Sequence, residues 1–165
     1  MSGGRFDRWF EWLMTWEGET FENDPDDRGG ATKFGLDKAS HPELDIESLT
    51  RTQAKEVYRT EYWQRVRADE LPFGIGEVVA DIAVNNGPTR AAKWLQIAVG
   101  AAPDGVIGPR TIAASKRTPA KSVCLSLLHR REIFYRSIAR GRQVKFLQGW
   151  LNRNNSLETN FVRVL

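Results

Sequence analysis

Arg5-Phe-Asp-Arg-Trp9-Phe10-Glu-Trp-Leu13-Met14-Thr-Trp16-Glu17-Gly18 is the stretch from which the fold can be read. Phe6, Trp9, Phe10, Leu13 and Met14 recur at i, i+3, i+4, i+7 and i+8, one apolar stripe of an α-helix. Glu17 continues that stripe, and Gly18 suits the helix end. A carboxyl group therefore stands at the end of a buried face, beside Trp16. Desolvation there disfavours the charged form and is expected to raise its pKa, so that Glu17 can donate a proton near neutral pH.

The next twenty residues carry no helical period. Gly18-Glu-Thr-Phe-Glu-Asn-Asp24-Pro-Asp-Asp27-Arg-Gly-Gly30-Ala-Thr32-Lys-Phe-Gly35-Leu-Asp37 reads as a long loop with room for short strands. A loop of this length in a compact domain is usually functional. Asp24, Asp26 and Asp27 offer solvated carboxylates and Thr32 a hydroxyl that can position water. One desolvated and one solvated carboxyl group are what glycoside hydrolysis uses. On spacing alone the alternative stays open: a helix-ending Glu17 that caps the helix or pairs with Arg28 or Lys33. A calcium loop starting at Asp24 would need an oxygen ligand at its fifth position and Glu at its twelfth, where Arg28 and Gly35 stand. A phosphate-cradling loop is excluded because Gly30-Ala-Thr-Lys33 lacks the Gly-Lys-Ser/Thr order.

Downstream the periodicity is helical. Thr50-Arg-Thr-Gln53 forms a capping box, followed by Ala54, Val57, Tyr58 and then Tyr62 or Trp63 on one face. Ile75, Val78, Val79, Ile82, Ala83 and Asn86 mark a third helix, ended by Gly87-Pro88. Thr89 is expected to cap a fourth, with Ala91, Ala92, Leu95, Ala98 and Val99 inward. Pro103 to Thr111 is a turn-rich link in which Asp104 caps a turn. Thr118-Pro119 opens a long helix through Ile138, and Phe146, Leu147, Trp150 and Leu151 mark the last. Residues 154–165 read as loosely held. The fold class expected is all-α, with one glycine-rich loop and little β-structure.

The 165 residues include 24 Lys+Arg, 21 Asp+Glu, two histidines and one cysteine, Cys124. Disordered, collagenous and disulfide-stapled classes are excluded. With His41 and His129 alone, no zinc cluster forms; no metal and no cofactor is expected. No apolar run nears the ~18 residues of a membrane span, and no secretory signal is legible at the N-terminus. Residues 110–153 are rich in Lys and Arg, with Glu132 the only acid. Such a stretch suits a polyanion, whether a bacterial wall or a nucleic acid, or is a solvated helix face. Nucleic acid is disfavoured by the acidic loop and the lack of a recognition helix.

The segment from Glu17 to Leu36 resembles the signature of glycoside hydrolase family 108, lysozyme-like N-acetylmuramidases common in phages and prophages. The family's pattern is Glu-x-Gly, Asn-Asp-Pro, Asp-x-Gly-Gly, Thr and Gly; Glu17, Asn23-Asp24-Pro25, Asp27-x-Gly29-Gly30, Thr32 and Gly35 follow it, and the chain departs from it at Gly18-Glu19 and at Leu36. Asp81-Ile-Ala-Val-Asn85-Asn-Gly87 resembles the family's second motif. Asp104-Gly-Val-Ile-Gly108-Pro-Arg-Thr111 resembles the turn of its predicted peptidoglycan-binding segment, and Phe146 to Arg153 its C-terminal helix. The resemblance implies a lysozyme-like fold, with a catalytic part over 1–90 and a helical, peptidoglycan-binding part over 91–165, packed as one unit. It implies hydrolysis of peptidoglycan glycan strands with Glu17 as general acid, Asp27 or Asp24 as the second carboxylate and Thr32 orienting water. Asn85, Asp81 and an exposed Trp63 become candidates for substrate contact, although Asn85 also suits a helix end. A monomer without a membrane span, released to the wall by a holin-type route if phage-derived, completes the expectation. A wall-binding protein without catalysis is the alternative.

Overall fold

The computed structural model describes residues 3–25 and 29–165, among which seven α-helices and one small hairpin stand. The chain divides into two compact units, Met1–Glu61 and Tyr62–Leu165. That division lies well before residue 90, because the helix ending at Asn86 packs with the helices that follow it.

In the first unit, α1 spans Arg5–Glu17 and stops where Gly18 turns to a positive φ of 71°. Trp9, Phe10 and Leu13 are wholly buried, as their spacing requires. Strands β1 (Thr32–Lys33) and β2 (Leu36–Asp37) pair antiparallel around a two-residue turn. Helix α2, Arg51–Tyr58, opens on the expected box: Thr50 Oγ1 accepts from Gln53 N at 3.2 Å, and Gln53 Oε1 accepts from Thr50 N at 2.9 Å. Arg51 binds α2 to α1 by a two-pronged contact with Glu11, at 3.0 and 2.7 Å, and also donates to Glu19 at 2.9 Å.

Helix α2 runs into a π-helical turn, Arg59–Trp63. In an α-helix the residue four beyond Tyr58 would continue the buried face. In a π-turn the hydrogen bond spans five residues, and the fifth residue takes that place. Trp63 is accordingly fully buried and Tyr62 half-buried.

In the second unit, α3 (Ile75–Asn86) is buried on every side from Ile75 to Ala83, not along one stripe. It packs against α4 (Pro88–Ala98) and α6 (Ala120–Ile138). Helix α4 starts at Pro88, two residues earlier than a Thr89 cap would place it, because proline suits the first helical position. Helix α5 is Pro109–Arg117 and α7 is Leu147–Leu157. Residues 154–165 are not loose: Asn154, Leu157, Phe161 and Val162 are buried, carried inward by a π-turn over Glu158–Val162.

Candidate functional site

Glu17 is the last residue of α1, so its side chain projects where the helix gives way to the loop. It is half-buried, whereas Phe10 and Leu13 behind it are fully buried. The hairpin turn is pressed against it. Phe34 and Gly35, the two turn residues, have φ of 54° and 76°. Positive φ at both positions is the mark of a type I′ turn, whose twist matches that of the paired strands. Phenylalanine is rare there, since a bulky side chain strains the left-handed region. Two contacts hold it: the ring is buried, and the Tyr58 hydroxyl donates to Phe34 O at 2.8 Å.

Gly35 has a second reason to be glycine. A Cβ at that position would lie 2.6 Å from Glu17 Oε2, 2.6 Å from the Tyr58 hydroxyl and 2.8 Å from Glu17 Cβ. Real side chains do not approach so closely, so the turn backbone reaches the carboxylate only because residue 35 lacks one. Tyr58 is itself fixed, fully buried, with its ring 6.0 Å from Phe10 and 6.5 Å from Trp9. One contiguous assembly thus joins the inner face of α1, the end of α2 and the turn to the Glu17 carboxyl group.

The remaining loop is tied back by a bridge between Glu22 and Thr32, with hydrogen bonds of 2.9 and 2.8 Å. Thr32 Oγ1 donates to Gly30 O at 3.4 Å. Asp24 is exposed on the approach to the loop. Asp27, with Asp26 and Arg28, lies outside the described residues.

Asp81, Asn85 and Trp63 belong to the second unit. Trp63 is no sugar platform, because the π-turn buries its ring completely. Asp81 is no sugar ligand either. It is fully buried, accepting from Arg131 at 2.6 Å through Oδ2 and from Arg153 at 2.6 Å through Oδ1. Burial by itself would raise the Asp81 carboxyl group, but the charges of Arg153 and Arg131 and their hydrogen bonds outweigh it and hold it below the usual carboxylate range. Both arginines sit at inward positions of α6 and α7 where apolar residues would be read. The one sequence signal was Arg131 itself, four residues before Tyr135 and in step with Leu127. Asn85 is exposed at the rim of this triad. With its carbonyl turned inward it accepts from Arg131 at 2.9 Å and from Arg153 at 3.2 Å, so it neither caps α3 nor stands apart from the ion pairs.

The predicted turn after α4 is built as expected. Asp104 Oδ1 accepts from Val106 N at 2.9 Å and from the buried Gln96 amide at 2.7 Å, and Gly105 N donates to Gln96 Oε1 at 2.9 Å.

The description Glycosyl hydrolase 108 matches residues 10–87, which contain Glu17, the hairpin and α3. Residues 90–155 match a second description, Predicted Peptidoglycan domain. Among solved structures, Brucella abortus SagA is similar at 32% identity and a TM-score of 0.82, covering 94% of this chain and 92% of that one. The chain belongs to glycosyl hydrolase family 108. No curated protein sequence matches it. As a family 108 protein it has the mainly helical fold that its stripes imply and the lysozyme-like arrangement that the resemblance implies, and it is a glycosidase of a peptidoglycan hydrolase family. The family 108 match covers the Glu17–Gly35 contact, and the peptidoglycan match begins within α4, at Arg90.

Proposed function

We propose that this protein cleaves the glycan strands of peptidoglycan as an N-acetylmuramidase, with Glu17 as the general acid. The observation that carries the reading is the position of Glu17 at the mouth of a helix, half-buried, with the Phe34–Gly35 turn packed on its carboxyl group. A carboxylic acid held there delivers its proton to the leaving glycosidic oxygen as the bond to the anomeric carbon breaks. The developing oxocarbenium charge needs a carboxylate on the other side of the sugar ring. Asp27 or Asp24 supplies it, and Thr32, on the bridge to Glu22, helps to orient the attacking water.

The basic stretch 110–153 assists by drawing the protein to an anionic wall. Its contribution excludes Arg131 and Arg153, which are committed to Asp81. Binding to walls is then expected to weaken as salt screens the exposed charges.

Glu17→Gln tests the assignment. The amide keeps the size of the side chain but has no proton to transfer. It should fold like the parent and release reducing ends from purified walls about 10²- to 10⁴-fold more slowly. Undiminished hydrolysis by a folded Glu17→Gln variant would overturn the mechanism. A parent that binds walls but releases no reducing ends would leave wall binding as the function.

A further inference from the structure

A cavity at the corner between α3 and α4 is used by none of the chemistry above. It measures about 520 Å³ and is lined by Asn86, Pro88, Arg90, Lys93, Trp94 and Ile97, with no acidic side chain among the described residues. That volume suits a small ligand. Every residue of its lining lies in the second unit, apart from the unit that carries Glu17.

The lining combines three kinds of recognition. Trp94 and Ile97 are apolar residues on the outer face of α4, off the stripe that packs inward, and Ile97 is 46% exposed. Trp94 is held edge-on to Phe134 at 5.6 Å, and the Arg90 guanidinium lies 4.5 Å above the same ring. The two are thus pre-positioned by one aromatic side chain of α6. Arg90 and Lys93 are both exposed. Lastly, Asn86 Oδ1 is buried and has no hydrogen-bond partner among the described residues. A buried acceptor left without a donor is costly, and a ligand N–H relieves it.

An amide N–H for Asn86, small apolar groups for Trp94 and Ile97, and carboxylates for Arg90 and Lys93 describe a short anionic peptide. Peptidoglycan contains one: the stem peptide, rich in amides and alanyl methyl groups and carrying free carboxylates. The N-acetylated glycan has no free charge once its lactyl group is joined to the stem, so it would leave both cations unused. We propose that this cavity binds the stem peptide of peptidoglycan, with Arg90 and Lys93 engaging its carboxylates and Asn86 an amide N–H. The proposal rests on the reading of the protein as a peptidoglycan hydrolase, and it adds a site for the part of the substrate that is not cleaved.

The test uses the full chain carrying Glu17→Gln and, as probe, the sugar-free tetrapeptide L-Ala–γ-D-Glu–diaminopimelate–D-Ala. The Trp94 indole N–H is followed by NMR, its signal assigned by its loss in Trp94→Phe. Saturable shifting of that signal is expected, weakened about tenfold or more in Lys93→Ala and further in Arg90→Gln/Lys93→Ala, since each lost charge-assisted contact is worth about that factor. The tetrapeptide with its carboxylates amidated should bind as weakly as the double variant sees the parent peptide. A Trp94 signal that ignores the tetrapeptide, or that moves instead with peptide-free glycan, overturns the proposal. So does tetrapeptide affinity unchanged by the folded Lys93→Ala and Arg90→Gln/Lys93→Ala variants. Reducing-end release by the parent chain reports separately on hydrolysis: peptide binding without cleavage would sink the hydrolase reading alone, and cleavage without peptide binding would sink this site alone.

Discussion

The carboxylate of Glu17 occupies the space that a side chain on residue 35 would need, its Oε2 standing 2.6 Å from where a Gly35 Cβ would be. The hairpin turn and the proposed acid are therefore fitted to each other. Gly35→Ala should damage both. The left-handed backbone at φ 76° costs a non-glycine residue about 1–2 kcal/mol, and the methyl must also displace Glu17 or the Tyr58 hydroxyl. We expect a lower melting temperature and a larger fall in reducing-end release than the stability loss explains. Parental activity at parental stability would show that the contact has no role.

Tyr58→Phe removes the donor to Phe34 O while keeping the ring between Trp9 and Phe10. The loss should be about 1–3 kcal/mol, the cost of a buried carbonyl left without a donor. It should appear in chemical denaturation as a lower midpoint with an unchanged slope.

Asp24→Asn and Asp27→Asn rank the loop carboxylates. Both loop positions are expected to tolerate the change in folding. The variant with the greater loss of turnover on purified walls identifies the partner of Glu17; equal, negligible losses would remove both from the mechanism.

Asp81→Asn should be among the most destabilising single changes, about 3–5 kcal/mol, because it strands the buried charges of Arg131 and Arg153. The same ion pairs set an acid limit. The Asp81 carboxyl lies below its ordinary value in the fold, so its stabilisation is complete above the unfolded value of about 3.9 and is lost as pH falls from there through the folded value. Melting temperature measured against pH should drop below about pH 4 in the parent. A parent curve that stays flat down to pH 2 would contradict this account.

Cys124 should be inert. It is fully buried, and burial pushes its thiol up to about 12. A thiol reagent at pH 8 should label it only after denaturant is added. Rapid labelling of the native protein would mean that α6 opens.

The sequence alone determined the helices whose burial follows a simple period and the loop whose glycines forbid one. Phe6 to Met14 fixed α1, Thr50 and Gln53 fixed the start of α2, and Gly18 fixed where Glu17 ends up, because these are contacts within one turn or two of the chain. What lay beyond it was decided by tertiary structure. The π-turn that buries Trp63 reverses which of two adjacent aromatic residues faces inward, and no local preference announces an extra residue in a turn. Asp81 reads as a candidate for substrate contact and Arg131 and Arg153 as part of a basic stretch, on three separate helices, yet all three are buried, which is tolerable only because Asp81 lies 2.6 Å from each arginine, a condition set by residues 50 and 72 positions apart. Gly35 was legible as a turn glycine, while its second role depends on α1 and α2 bringing Glu17 and Tyr58 to the same point, a meeting that only the packed chain can specify.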